Sequence, residues 1–191
     1  DQRREEANRG AGVTPVERRS GVRNRPLSIL QWNCDHLRSK IPELEVLLRE
    51  NDVDVAVVQE TKLRAEDAEV KVRGYEVVRR DRWREGRNRW SRGGGLVTLV
   101  RDGWSYRVVE GEVDVSGPVE ELCVEVGDGE GGWWMVGNVY VPPESSVRVP
   151  KELFQRVAGD GSGEWVVAGD FNAHHPDWDE VSRADDRGSW L

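Results

Sequence analysis

Trp165-Val-Val-Ala-Gly-Asp170-Phe-Asn172-Ala-His174-His175-Pro-Asp-Trp178 is the stretch on which the fold turns. Its short apolar run, rich in β-branched residues, predicts a buried strand. The run ends at Gly169 and then delivers Asp170 and Asn172, two positions apart. Alternation along an extended chain puts both side chains on one side. A carboxylate beside a carboxamide at a strand's end suits a metal ion, a water and a phosphate oxygen. A carboxylate that closes a buried strand also needs a partner, because burying an unpaired charge is costly.

Working outward, other strands end in the same way. Leu27 to Trp32 alternates as a strand and ends at Asn33. From Ser39 to Asn51 the apolar residues Ile41, Leu44, Leu47 and Leu48 predict an amphipathic helix, with Ser39 as N-cap and Pro42 in the first turn. Val53 to Val58 is a second apolar run that exits on Gln59-Glu60. Strand, helix and strand in this span make a βαβ unit, so these two strands are expected to be parallel. Tyr75–Val78, Leu96–Val100, Ser105–Val109, Val119–Val126 and Trp133–Val141 read as mostly antiparallel strands. Pro142-Pro143 closes the strand that carries Asn138 and Tyr140, and Lys151–Val157 reads as a short helix. The expectation is one layered α/β domain.

Polar residues thus sit at four strand ends: Asn33, Gln59-Glu60, Asn138 with Tyr140, and Asp170 with Asn172. Strand ends along one sheet edge can converge into a single site. Glu60 would supply a carboxylate to a hard cation such as Mg²⁺, with Asn33 beside it. Asp170 would position or deprotonate a water, while Asn172 and Tyr140 donate to phosphate oxygens. Singly, each has a plainer reading: a solvated Glu, a turn-forming Asn, a core Tyr. Their occurrence in order is what carries weight.

The formal charge of -8 excludes a protein held on nucleic acid by bulk electrostatics. Its distribution is uneven. Residues 79–92 carry seven Arg among two acids, with Trp83 and Trp90 interleaved, whereas residues 110–130 carry eight acids and no base. Arg with interleaved Trp suits a loop that pairs phosphates and stacks bases, and equally a solvated loop anchored by its tryptophans. Residues 1–26 read as a disordered basic leader or linker, and residues 27–191 as the domain. Cys34 and Cys123 lack metal-type spacing and fit two free thiols in a reducing, intracellular setting. No apolar run approaches the ~20 residues of a membrane helix.

In that ordered set the chain resembles the endonuclease/exonuclease/phosphatase superfamily, the DNase I-like proteins. The matching pieces are Gln31-Trp32-Asn33, Gln59-Glu60-Thr61, Arg92-Gly93-Gly94-Gly95-Leu96, Asn138-Val-Tyr140-Val-Pro142-Pro143 and Gly169-Asp170-Phe171-Asn172. The last two, with His174-His175-Pro-Asp-Trp178, look most like the apurinic/apyrimidinic-type endonuclease domain of non-LTR retrotransposons. The resemblance implies a two-sheet sandwich flanked by helices that hydrolyses phosphodiester bonds with Mg²⁺ or Mn²⁺. It implies Glu60 and Asn33 as metal residues, Tyr140 orienting the scissile phosphate, Asp170 activating water and Asn172 stabilising the transition state. Arg92, Asn138 and His174 are the candidate substrate contacts. It further implies DNA as substrate, a reverse transcriptase domain in the same polyprotein, and a nuclear place for the full-length element. The alternatives within reach are a phosphatase of the same fold acting on a non-nucleic-acid phosphoester, and a non-catalytic DNA-binding relic.

One departure stands out. The family carries a Ser-Asp-His segment on a later strand, and Asp179–Leu191 contains no histidine. The resemblance therefore implies a sandwich lacking its last strands, an exposed apolar sheet edge, and weak activity of this segment on its own.

Overall fold

The computed structural model describes residues 26–82, 93–109, 118–127, 133–143, 151–159 and 163–191. The leader at 1–25, Arg92, most of the Arg/Trp stretch and part of the acidic stretch lie outside the described residues. Eight strands and two helices follow in the order β1 (Ile29–Asn33), α1 (Leu37–Glu50), β2 (Val55–Gln59), β3 (Tyr75–Arg80), β4 (Leu96–Arg101), β5 (Ser105–Val109), β6 (Glu120–Gly127), β7 (Trp133–Tyr140), α2 (Lys151–Ala158) and β8 (Glu164–Asp170). They build two four-stranded sheets, ordered β1-β2-β4-β3 and β5-β6-β7-β8. β1 and β2 are parallel, as the βαβ reading requires, and so are β7 and β8; the remaining pairs are antiparallel.

The layers follow from alternation. In β2 all five residues are buried, because both faces are covered. Ala56 and Val58 face α1, where they meet Leu37, Leu44 and Leu48 together with Val97 and Leu99 of β4. Val55 and Val57 face the other way, into the sandwich, against Leu122, Val124, Val126 and Val136 of the second sheet. The outer face of that sheet buries Cys123, Val139 and Val141 under Leu153 and Val157 of α2. Each such aliphatic side chain contributes about 1.5–3 kcal/mol on full burial. The result is four layers: helix, sheet, sheet, helix.

Three local expectations are corrected. Ser39 does not cap α1; the helix begins at Leu37, with His36 preceding it and no side-chain cap bond. The exit from β2 substitutes for a cap, since Leu37 N–H donates to Thr61 O at 3.1 Å. Pro42 consequently lies inside the helix rather than in its first turn. β8 is half-buried, not buried, because it is the edge of its sheet and its far side has no strand among the described residues.

β1 and β8 lie on the same side of the sandwich and pack against each other across it. Below them a cleft of about 770 Å³ opens between Leu27 and Ile29 on one side and Trp134, Trp165 and Val166 on the other. Trp165 is nearly half exposed there. Trp134 and Trp165 lie near the starts of β7 and β8, so the cleft is at the end opposite Tyr140 and Asp170. No described helix is long and apolar enough to cross a membrane.

Candidate active site

Parallel pairing aligns strand exits. In the first sheet Asn33 is the register partner of Gln59, one residue before Glu60. In the second, Tyr140 is the register partner of Asp170. Face-to-face packing then brings both exits to one edge. Asn33 Nδ2 donates to Glu60 Oε1 at 2.9 Å and to Asp170 Oδ2 at 2.7 Å. Tyr140 Oη donates to the same Glu60 oxygen at 3.1 Å. Two carboxylates from different sheets therefore flank one carboxamide. Burial, and next the charge of Glu60, push the Tyr140 phenol above its ordinary range, so it remains a proton donor.

Asp170 and Asn172 meet by a turn rather than by strand alternation. β8 ends at Asp170, and Asn172 adopts the left-handed region with φ 44°, a conformation Asn tolerates well. Its N–H donates to Asp170 Oδ1 at 3.0 Å, and its Nδ2 donates to Val141 O at 2.9 Å. Arg187 closes the turn from below, donating to Asn172 O at 2.9 Å, Phe171 O at 3.1 Å and Pro143 O at 2.9 Å. The C-terminal segment thus clamps both loops that leave Tyr140 and Asp170.

The Glu60 turn is strained and held. Glu60 and Lys62 both have φ 53°, left-handed values that cost a non-glycine residue about 1–2 kcal/mol. Thr61 N–H donates to Gly95 O at 3.1 Å and Lys62 N–H to Gly94 O at 2.9 Å. This explains the glycine triplet. Gly93, Gly94 and Gly95 all have positive φ, and a Cβ on Gly94 would collide with Glu120 Oε1 and Arg82 Nε. Glu120 in turn accepts from Gly95 N–H at 2.6 Å and pairs with Arg82, whose guanidinium sits 5.6 Å from the Tyr140 ring centre. Burial pushes the Glu120 carboxyl up, against the opposing pull of Arg82 and the Gly95 N–H.

The donor set fits a hard divalent cation. Glu60, Asp170 and Asn33 offer only oxygens once the Asn33 amide turns its Oδ1 inward. Among the described residues no group of three His, Cys, Asp or Glu side chains gathers to hold a metal. A cation here would therefore rest on two carboxylates, Asn33 and waters, the pattern Mg²⁺ accepts.

Comparison with known proteins bears directly on this arrangement. A sequence model of the Endonuclease/Exonuclease/phosphatase family matches residues 30–190. The chain belongs to that family. It is 26% identical over 167 residues to "Probable RNA-directed DNA polymerase from transposon X-element" of Drosophila melanogaster, covering 85% of this chain and 17% of that protein. The chain thus spans about a sixth of the curated relative's length. Among solved structures, the endonuclease domain of TRAS1, a telomere-specific non-LTR retrotransposon, superposes with a TM-score of 0.61 at 16% identity. That match covers 87% of this chain and 68% of the TRAS1 chain. The AP endonuclease LMAP from Leishmania major gives a TM-score of 0.56 at 21% identity, over 80% of this chain and 57% of that one. At these identities the two superpositions establish the DNase I-like fold.

In this endonuclease/exonuclease/phosphatase domain the residues expected to act do not all meet. Asn33, Glu60, Tyr140, Asp170 and Asn172 come together. Asn138, expected to touch substrate, is fully buried between the sheets and bonded to Gln59 and Val97 O. Inward alternation two positions before Tyr140 puts it there. His174 is exposed on the following loop, its carbonyl accepting from Asp185 N–H at 3.0 Å. Besides Arg187, three residues escape the sequence reading. Lys62 pairs with Asp35 and lies 3.9 Å from Glu60 Oε2, and Arg82 and Glu120 brace the glycine turn. Arg82 and Glu120 fall in oppositely charged stretches, and nothing in their separation along the chain signals the pair.

Proposed function

We propose that this domain nicks DNA: it is the endonuclease domain of a non-LTR retrotransposon polyprotein, acting with Mg²⁺ or Mn²⁺. The observation that carries this reading is the convergence of Asn33 and Glu60 from one sheet with Tyr140 and Asp170 from the other. The family membership and the retrotransposon relatives support the same substrate class. Asn33 and Glu60 would hold the cation, with Asp170 able to share it. When bound, the cation neutralises charge on the phosphate oxygens.

The residues then divide the work. Tyr140 donates its phenolic proton in a hydrogen bond to a non-bridging phosphate oxygen and so fixes the phosphate's orientation. The Asp170 carboxylate accepts a proton from the attacking water. The water oxygen bonds to phosphorus while the bond to the leaving oxygen breaks, and that oxygen takes up a proton from solvent. Asn172 has a second amide proton beyond the one given to Val141, and donates it to the charge that develops. A reverse transcriptase domain in the full-length protein and a nuclear site of action belong to the same proposal.

The test is a supercoiled-plasmid assay with Mg²⁺ beside an electrophoretic shift in EDTA. Cation-dependent nicking that vanishes in Glu60→Ala supports the reading. DNA retention in EDTA with no nicking at any cation concentration would instead mark a binding module.

A further inference from the structure

Behind the site, three side-chain amides form a row across the sandwich. Gln31 Nε2 donates to Gln59 Oε1 at 2.6 Å, and Gln59 Nε2 donates to Asn138 Oδ1 at 2.8 Å. Asn138 Nδ2 donates to Val97 O at 3.0 Å, with Thr98 Oγ1 and Val58 O each at 3.4 Å. Gln59, Asn138 and Thr98 have no solvent exposure, while Gln31 caps the row at the exposed edge. Every bond runs the same way, amide N–H to oxygen, so the dipoles align head to tail and reinforce one another. The surroundings are the aliphatic interior formed by Val55, Val57, Leu96 and Val136.

Placement gives the row its meaning. Gln31 precedes Asn33 by two residues on β1, Gln59 precedes Glu60 by one on β2, and Asn138 precedes Tyr140 by two on β7. Each amide therefore lies one or two residues before a residue of the site, on the same strand or, for Glu60, just past its end. The Gln59–Asn138 bond is also a directional link between the two sheets. Aliphatic packing is non-directional and fixes the offset of two sheets poorly. Hydrogen bonds weaken steeply with distance and angle.

We infer that Gln31, Gln59 and Asn138 are positioning residues that set the offset between the sheets, and with it the reach of Tyr140 to Glu60 and of Asn33 to Asp170. This rests on the reading of that site as the cation and phosphate centre. Asn138 acts from inside the sandwich, without touching substrate.

The deciding variant is Gln59→Leu/Asn138→Leu, which replaces both buried partners by apolar groups and leaves neither amide orphaned. Mn²⁺ titration of the purified chain by calorimetry is expected to show affinity about tenfold to 100-fold below the parent's, at a thermal midpoint close to the parent's. A metal-free readout accompanies it. In the 3-fluorotyrosine-labelled chain, the Tyr140 ¹⁹F resonance, assigned with Tyr140→Phe, is expected to shift or broaden in the double variant. Parent-like Mn²⁺ affinity together with an unmoved Tyr140 resonance overturns the inference. Should the double variant not fold, Gln31→Leu cuts the row at its exposed end. It is expected to move the same resonance, and an unmoved one overturns the inference equally. Failure of the parent itself to bind Mn²⁺ would defeat the cation reading, while the fluorine arm still decides the positioning claim.

Discussion

Tyr140 on β7 donates its phenolic hydrogen bond to Glu60 Oε1 at 3.1 Å, joining residues 80 positions apart that belong to different sheets. Only the face-to-face packing of the sandwich makes that contact. It couples the residue that would orient a phosphate to the carboxylate that would hold the cation.

Tyr140→Phe should separate fold from function. The ring packs with Leu122, Val124 and Val136, and Phe keeps that contact. Loss of one hydrogen bond should cost about 1 kcal/mol of stability. Plasmid nicking should fall about 100-fold, the size expected when one donor to the transition state is removed. An unchanged nicking rate would show that the hydroxyl serves only Glu60.

Glu60 and Asp170 should fail differently. Glu60→Ala removes a carboxylate and should weaken Mn²⁺ binding by more than about tenfold in calorimetry. Asp170→Asn keeps volume but cannot take a proton as a carboxylate does, so nicking should drop about 10³-fold with DNA retention in a gel shift largely intact. Equal loss of retention and nicking would make Asp170 structural.

Gly94→Ala should destabilise the whole site edge. Its φ of +73° is left-handed and the added Cβ meets Glu120 and Arg82. Strain and overpacking together should cost about 2–4 kcal/mol, read as a lower midpoint in urea unfolding. A midpoint within error of the parent would mean the Arg82–Glu120 pair is free to move aside.

Alkaline pH should loosen the domain through Cys34. Burial pushes its thiol from 9.0 up to about 12. Above pH 9 the unfolded chain releases that proton while the folded chain keeps it. Stability is therefore full below about pH 9 and falls above it, by up to about 1.4 kcal/mol per pH unit until the folded thiol ionises. Melting temperatures recorded from about pH 8 to 10.5 should decline, and Cys34→Ala should flatten the onset of the decline. Identical slopes in parent and variant would assign the effect to other groups, Tyr140 among them.

Much of this domain was legible in its sequence because the signals are local. Apolar alternation and short apolar runs located β1 to β8 within a residue or two, and strand–helix–strand spacing made β1 and β2 parallel. The motifs around Asn33, Glu60, Tyr140 and Asp170 point to the family on their own. Local rules failed where a partner lay far along the chain. Ser39 looked like a cap because nothing nearby reveals that Thr61 O meets the start of α1. Asn138 looked like a substrate contact because its position at a strand's end does not say which face is interior.

What the sequence determined by itself is therefore the element order, the fold class and the chemical types available at each strand exit. These depend on periodicity, on glycine and proline punctuation and on motif order, all properties of neighbouring residues. The tertiary structure alone decided which side chains meet. It set Asp170 beside Asn33 at 2.7 Å, turned Asn172 back onto Asp170, and drew Arg187 under both site loops. It also buried Asn138 in the amide row that ties one sheet to the other. The physical reason is that hydrogen bonds and ion pairs act over about 3 Å of space regardless of chain separation, so their partners appear only once two sheets are stacked.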